Sequence, residues 1–190
     1  MNKNNKTFKL TFSAIMIALS TALSFIKIFK LPWGGSVTLL SMLPVCMISI
    51  AFGTAYAIAP CILYGAVQMI VDGVFAWGLT PKILAASIFL DYLAAFGILS
   101  LAGVFRSKGT KGIYGGIVLS AALRLIFHII SGRIFFEQFA VQELVDFVGG
   151  NPFIYSTVYN GAYMLPEIGI TLAAAFIIFR MESVKRIILD

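Results

Sequence analysis

The sequence predicts an all-α membrane protein, a bundle of six transmembrane helices with both termini cytoplasmic. Three observations carry that prediction. Of 190 residues, 60% are hydrophobic and only 12% are charged, whereas soluble domains hold about 45–50% apolar residues. The apolar residues fall in six runs, most of them near the roughly 20 residues that cross about 30 Å of hydrocarbon. The basic residues gather in alternate connections, as they do where charge sets membrane orientation.

The runs lie at about 8–27, 36–53, 55–72, 82–104, 113–133 and 154–179, within one integral membrane domain covering 1–190. The first follows a basic start, "MNKNNKTFKLTFSAIMIALSTALS", that has the form of a signal peptide. It leads into further spans, so it reads as a retained helix. Within it Ala14, Ala18 and Ala22 recur every fourth residue. Such a stripe lets another helix approach closely, and spacing alone favours packing inside the bundle. The second and third runs enclose Pro44 and Pro60, which read as kinks because neighbouring helices absorb the lost hydrogen bond. Cys46 and Cys61 also fall inside runs and read as small packing residues.

Orientation follows from Lys and Arg. With the amino terminus inside, nine of the basic residues from Lys3 to Arg186 fall on the cytoplasmic side, and only Lys27, Lys30, Lys82 and Arg133 fall outside. The net charge of +6 is thereby absorbed by topology, and a nucleic-acid partner is not indicated.

Ionisable groups inside spans are costly and therefore mark function. Here they are Asp91, Arg124, His128 and Glu167, joined by Asn160. At about 1.5 Å of rise per residue, Asp91, His128 and Asn160 lie roughly 13, 7 and 9 Å below the outer ends of their spans. Three helices thus bring polar groups to the outer half of the bundle. Tyr92, Phe135, Phe136 and the stripe Tyr155, Tyr159, Tyr163 fall in the same volume. Aromatic faces attract cations and stack on flat heterocycles, so the implied ligand is flat, polar at its edges and compatible with positive charge. Trp33 and Trp77 read either as cover for such a pocket or as interfacial belt residues. Asp91 reads as facing the ligand or as the ion-pair partner of Arg124, and Glu167 reads as a partner of Arg124.

Several chemistries find no support. The chain has no G-x-x-x-x-G-K-[ST] loop, no H-E-x-x-H motif and a single histidine, so neither nucleotide hydrolysis nor a multi-histidine metal site is expected. An intramembrane hydrolase would have to use Ser131 with His128, without a G-x-S-x-G elbow to support it. No cofactor is expected.

The segments "GGSVTLLSMLP", "LDYLAAFGILSLAG", "LRLIFHIISGRIFF" and "IYSTVYNGAYMLP", with the Ala14-x-x-x-Ala18 pattern, have the order and spacing of a known family. The chain resembles the thiamine-specific substrate-binding (S) component of energy-coupling factor vitamin transporters over nearly its whole length. The resemblance implies a non-enzymatic, multi-pass subunit of the cell membrane that binds thiamine. It implies a site matching Asp91, Tyr92, His128, Gly132, Phe136, Tyr155 and Asn160, with Trp33 matching the first-loop tryptophan in a shifted register. Some members carry glutamate at the position of Asp91 and tryptophan at that of Phe136. The resemblance also implies that Ala14, Ala18 and Ala22 meet a transmembrane coupling subunit joined to two ATPase subunits. The same fold serving another flat vitamin or precursor, such as a hydroxymethylpyrimidine, and a solitary carrier without ATPase partners are the competing readings.

Overall fold

The structure, a computed structural model, is described for residues 5–31 and 35–188, excepting the side chains of residues 136–139. Helix α1, Lys6–Ser24, starts where the Asn5 side chain accepts a hydrogen bond from the Thr7 amide, satisfying one of the donors that a helix start leaves free. Its buried face is built from serines, Ser13, Ser20 and Ser24. Ala14, Ala18 and Ala22 are exposed on the outside of the bundle, so the stripe does not pack internally.

Beyond α1 the chain departs most from the expected pattern. The chain leaves α1 into strand β1, Lys27–Lys30, which pairs antiparallel with β2, Ser36–Thr38, setting Lys27 opposite Thr38 and Lys30 opposite Ser36. The expected span 36–53 is therefore a strand followed by a short helix α2, Met42–Phe52, of 11 residues. Two causes act at this junction. Val37 and Thr38 are β-branched and suit a strand, and Leu40 turns the chain at a φ of 63°, which cannot continue a right-handed helix. Pro44 falls in the first turn of α2, where no helical hydrogen bond is lost, so it does not kink the chain as expected. Pro60 lies inside helix α3, Thr54–Val71, as expected. Gly53, at a φ of 91°, makes the turn between α2 and α3.

Helix α4 covers 81–103 but is not uniform. It opens as an α-helix at Pro81–Ser87, widens to a π-helix over Ile88–Ala94, returns through Ala95–Gly97 and tightens to 3-10 geometry over Ile98–Gly103. After a turn, α5 runs over Gly109–Phe139, beyond the expected end at 133, and α6, Gln142–Phe147, lies in what was expected to be open loop. Helix α7, Pro152–Ile178, is capped by Asn151, and α8 covers Glu182–Ile188.

Among the described residues four helical stretches are long and apolar enough to cross a membrane: Lys6–Ser24, Thr54–Val71, Pro81–Phe135 and Pro152–Ile178. The third is α4 and α5 doubled back on each other. Glycine permits that close return, because a Cβ on Gly116 would stand 2.1 Å from the Ala102 carbonyl oxygen. Helix α2 is shorter and forms the centre of the core, with Met42, Val45, Cys46 and Ile48 fully buried. Cys61 is likewise buried, and both thiols are free.

Candidate functional site

A cavity of about 630 Å³ opens between α3, α4, α5, α7 and the β-hairpin. It gathers most of the polar side chains that the apolar runs contain. Asp91 and Tyr92 reach it from the π-helical segment of α4, and both line it. A π turn narrows the angle between successive side chains relative to an α turn, so neighbouring residues share one wall; such segments recur at functional sites. His128 and Gly132 line it from α5, and Tyr155 and Asn160 from α7. Of the remaining expected site residues, Trp33 lies outside the described residues, as does the side chain of Phe136; its neighbour Phe135 lines the cavity.

The carboxylate, imidazole and carboxamide are contiguous. His128 Nδ1 is 3.0 Å from Asp91 Oδ1, while Asn160 Nδ2 donates to the His128 backbone carbonyl at 3.1 Å. The other Asp91 oxygen accepts from Ser87 Oγ at 3.0 Å and from Ser131 Oγ. Arg124 fixes the tautomer of this cluster. Its Nε, which can only donate, points at His128 Nε2 at 3.3 Å. The Nε2 atom is therefore the acceptor and Nδ1 carries the proton given to Asp91.

This geometry corrects the expected ion pairs. Among the described residues Arg124 is paired with neither Asp91 nor Glu167; its guanidinium lies over the Phe96 ring, 4.2 Å from the centroid, and donates to Met42 Sδ at 3.4 Å. Glu167 accepts instead from the amide and hydroxyl of Thr38, at 2.8 and 2.7 Å. Ser131 bonds Asp91 while His128 Nε2 faces Arg124, so among the described residues these two side chains are each engaged with other partners.

At Gly132, α5 packs tightly against side chains of α7. A Cβ there would lie 2.5 Å from Ser156 Oγ and 2.8 Å from Asn160 Nδ2. Asn160 Oδ1 accepts from the Tyr163 hydroxyl at 2.9 Å, and the Tyr155 and Tyr159 rings stack with centroids 5.8 Å apart. The tyrosine stripe of α7 is thus one aromatic wall. On another side Tyr92 donates to Asp72 at 3.3 Å, and Asp72 faces Lys27 of β1 at 3.7 Å, each about one-third exposed. Trp77 lines the same space.

Helix α3 contributes wall residues that sequence reasoning passed over. Tyr64 and Gln68 line the cavity, both buried. A carboxamide in the apolar run 55–72 was the available signal, of the same kind as Asn160.

The chain matches the thiamine transporter protein family (Thia_YuaJ) over residues 10–187. It is 30% identical over 182 residues to the thiamine transporter ThiT of Bacillus subtilis (strain 168), covering 88% of each chain. The solved structure of ThiT from Listeria monocytogenes has the same fold, with a TM-score of 0.77 at 22% identity, covering 95% of this chain and 97% of that one. A match across nearly all of the sequence, a relative at this identity and a membrane-helix bundle with a ring-lined polar cavity agree: the chain belongs to the thiamine transporter family.

Proposed function

We propose that this protein is the thiamine-binding S component of an energy-coupling factor transporter, a single cell-membrane domain that crosses the bilayer six times with both termini cytoplasmic. The observation that carries the reading is the meeting of Asp91, His128 and Asn160, from three helices, in one aromatic-lined cavity. Thiamine joins an aminopyrimidine to a permanently cationic thiazolium. A buried cation requires a counter-charge, and Asp91 supplies it or accepts from the aminopyrimidine. Both ring nitrogens of His128 are engaged within the protein, so the imidazole meets the ligand through its face. Asn160 Oδ1 has a second lone pair free for a ring-edge donor. Tyr92 and Tyr155 add aromatic surface and Gly132 keeps the wall thin; the family resemblance would add Phe136 and Trp33, which the described side chains do not include.

Mass spectrometry of the small molecule that co-purifies with the protein tests the reading, with thiamine as the expected ligand. In calorimetric competition, hydroxymethylpyrimidine should bind much more weakly than thiamine; equal affinity would assign the site to the precursor instead.

Uptake would be driven by ATP hydrolysed in two partner subunits and passed on through a transmembrane coupling subunit docked on Ala14, Ala18 and Ala22. The exposure of these alanines supports that surface. Replacing Ala14 and Ala18 together with Trp should abolish cellular uptake and leave thiamine binding intact. Concentrative uptake by the isolated chain in liposomes without ATP would instead make it a solitary carrier.

A further inference from the structure

Glu167 is a carboxylate in the middle of an apolar helix, 4% exposed, and the binding cluster built on Asp91 makes no use of it. Its partners lie 129 and 126 residues earlier in the chain. Oε2 accepts from the Thr38 amide at 2.8 Å, and Oε1 from the Thr38 hydroxyl at 2.7 Å and the Ser41 hydroxyl at 3.3 Å. The two hydroxyls are also 2.6 Å apart. Thr38 and Ser41 bracket Leu40, the one non-glycine residue with positive φ among the described residues. A leucine held in that region persists only where its surroundings over-determine it, and Glu167 grips the backbone two residues before it.

One helical turn earlier on the same face of α7 sits Tyr163. Its ring leaves no room for a side chain at Gly35, whose Cβ would fall 2.4 Å from Cδ1. Strand β2 is therefore seated on α7 at both ends, at Gly35 and at Thr38. Ser36, Thr38, Ser41 and Glu167 itself line the cavity, and the Tyr163 hydroxyl continues to Asn160.

We infer that Glu167 is a positioning residue: it lines the cavity, but its carboxylate oxygens are taken up by Thr38 and Ser41, and through them it fixes β2 as a wall of the thiamine site and thereby slows ligand release. The inference rests on the proposed thiamine binding for its functional readout, but not for its structural one.

Hydrogen exchange on the ligand-free full chain in detergent reads the clamp itself, and stopped-flow Trp fluorescence reads thiamine release. Glu167→Leu should speed exchange of the amides in 36–41 by about tenfold or more, leave α7 protected, and raise the release rate of thiamine by about tenfold, the scale of losing hydrogen bonds to a charged group. Glu167→Gln keeps an acceptor for the Thr38 amide and a donor for the two hydroxyls, so it should restore most of both readouts. Should Glu167→Leu fail to fold, Thr38→Val removes the hydroxyl from the opposite side and should raise release by about threefold. Unchanged exchange in 36–41 for Glu167→Leu, or for Thr38→Val where Leu does not fold, would overturn the inference. So would a Glu167→Gln variant that releases thiamine as fast as Glu167→Leu, since the charge itself would then be acting on the cation. A wild-type chain that binds no thiamine would sink the proposed ligand and leave the exchange result to judge the clamp.

Discussion

The two ends of the bundle use the same devices to opposite effect. At the cavity end, α5 meets α7 and the hairpin meets α7 through side chains: Gly132 faces Ser156 Oγ and Asn160 Nδ2, and Gly35 faces the Tyr163 ring, although α3 meets α4 there through backbone, at Gly65 and the Tyr92 carbonyl. At the far end helices meet through backbone. Built at Gly103, Gly112 and Gly116, a Cβ would come within 2.2, 2.0 and 2.1 Å of the carbonyl oxygens of Ser49, Phe105 and Ala102. There Ser49 Oγ accepts from the Gly103 amide at 2.9 Å and donates to the Ser100 carbonyl, and Phe8, Phe12 and Phe52 close the surface edge to face. Side chains change rotamer at modest cost, whereas packed carbonyls cannot move without moving their helices. The α5–α7 contact at the cavity can thus adjust through its side chains, whereas the far end is fixed by its backbone contacts.

The largest expected effect tests whether the polar end is a binding site. Asp91→Asn removes the carboxylate that His128, Ser87 and Ser131 all address. Thiamine affinity measured by calorimetry should fall by at least about 100-fold, the scale of stripping one partner from a buried charged cluster. The exposed Lys108→Ala serves as control and should bind like wild type. Equal affinities would remove Asp91 from the site and reduce the polar end to internal packing.

Next comes the holding end. Gly116→Ala drives a methyl into the Ala102 carbonyl, an overpacking that costs about 1–3 kcal/mol. A thermal scan in detergent should show a clear loss of stability, while the folded fraction binds thiamine with unchanged affinity. Gly132→Ala sharpens the contrast because the substitution is the same. Its methyl meets Ser156 Oγ and Asn160 Nδ2 rather than backbone, so the loss should appear chiefly as a roughly tenfold weaker affinity, about 1.4 kcal/mol, with a smaller fall in melting temperature. If Gly132→Ala melted the protein as Gly116→Ala does, the two ends would not differ in kind.

How much of this contrast is legible in the sequence depends on whether the signal is local. The apolar runs placed α1, α3, α4, α5 and α7 because a 3.6-residue stripe or an unbroken apolar stretch is written in neighbouring residues. The meeting of Asp91, His128 and Asn160 was legible too, since a polar residue in a span is rare and its depth follows from helical rise. The β-hairpin was not, because "SVTLLSMLP" is apolar without a period. What holds that strand against α7 is the bond from the Thr38 amide to Glu167, 129 residues away, which no local pattern shows. The π-helix around Asp91 left no mark in composition either, and Arg124 misled because charge suggests a carboxylate partner where the fold supplies an imidazole and the Phe96 ring.

The smallest effect concerns that arginine, and a single residue reports it. The chain has one histidine, so a nitrogen-15 spectrum of histidine-labelled protein contains one imidazole. Arg124 Nε donates to His128 Nε2, which confines the proton to Nδ1 and directs it at Asp91. In the wild type the two ring nitrogens should therefore resolve as a single Nδ1-protonated tautomer. Arg124→Met removes the donor and leaves Nε2 free to take the proton, so the two signals should move toward each other as the tautomers mix. Arg124→Lys keeps the positive charge but not the planar fork, and it should restore the tautomer in part. Because Asp91 still holds the ring through Nδ1, thiamine affinity should fall only about three- to tenfold in Arg124→Met, the range of one hydrogen bond's net contribution. A spectrum indifferent to Arg124 would mean that Asp91 alone orients the imidazole, and that the polar end is organised from α4 rather than from both helices.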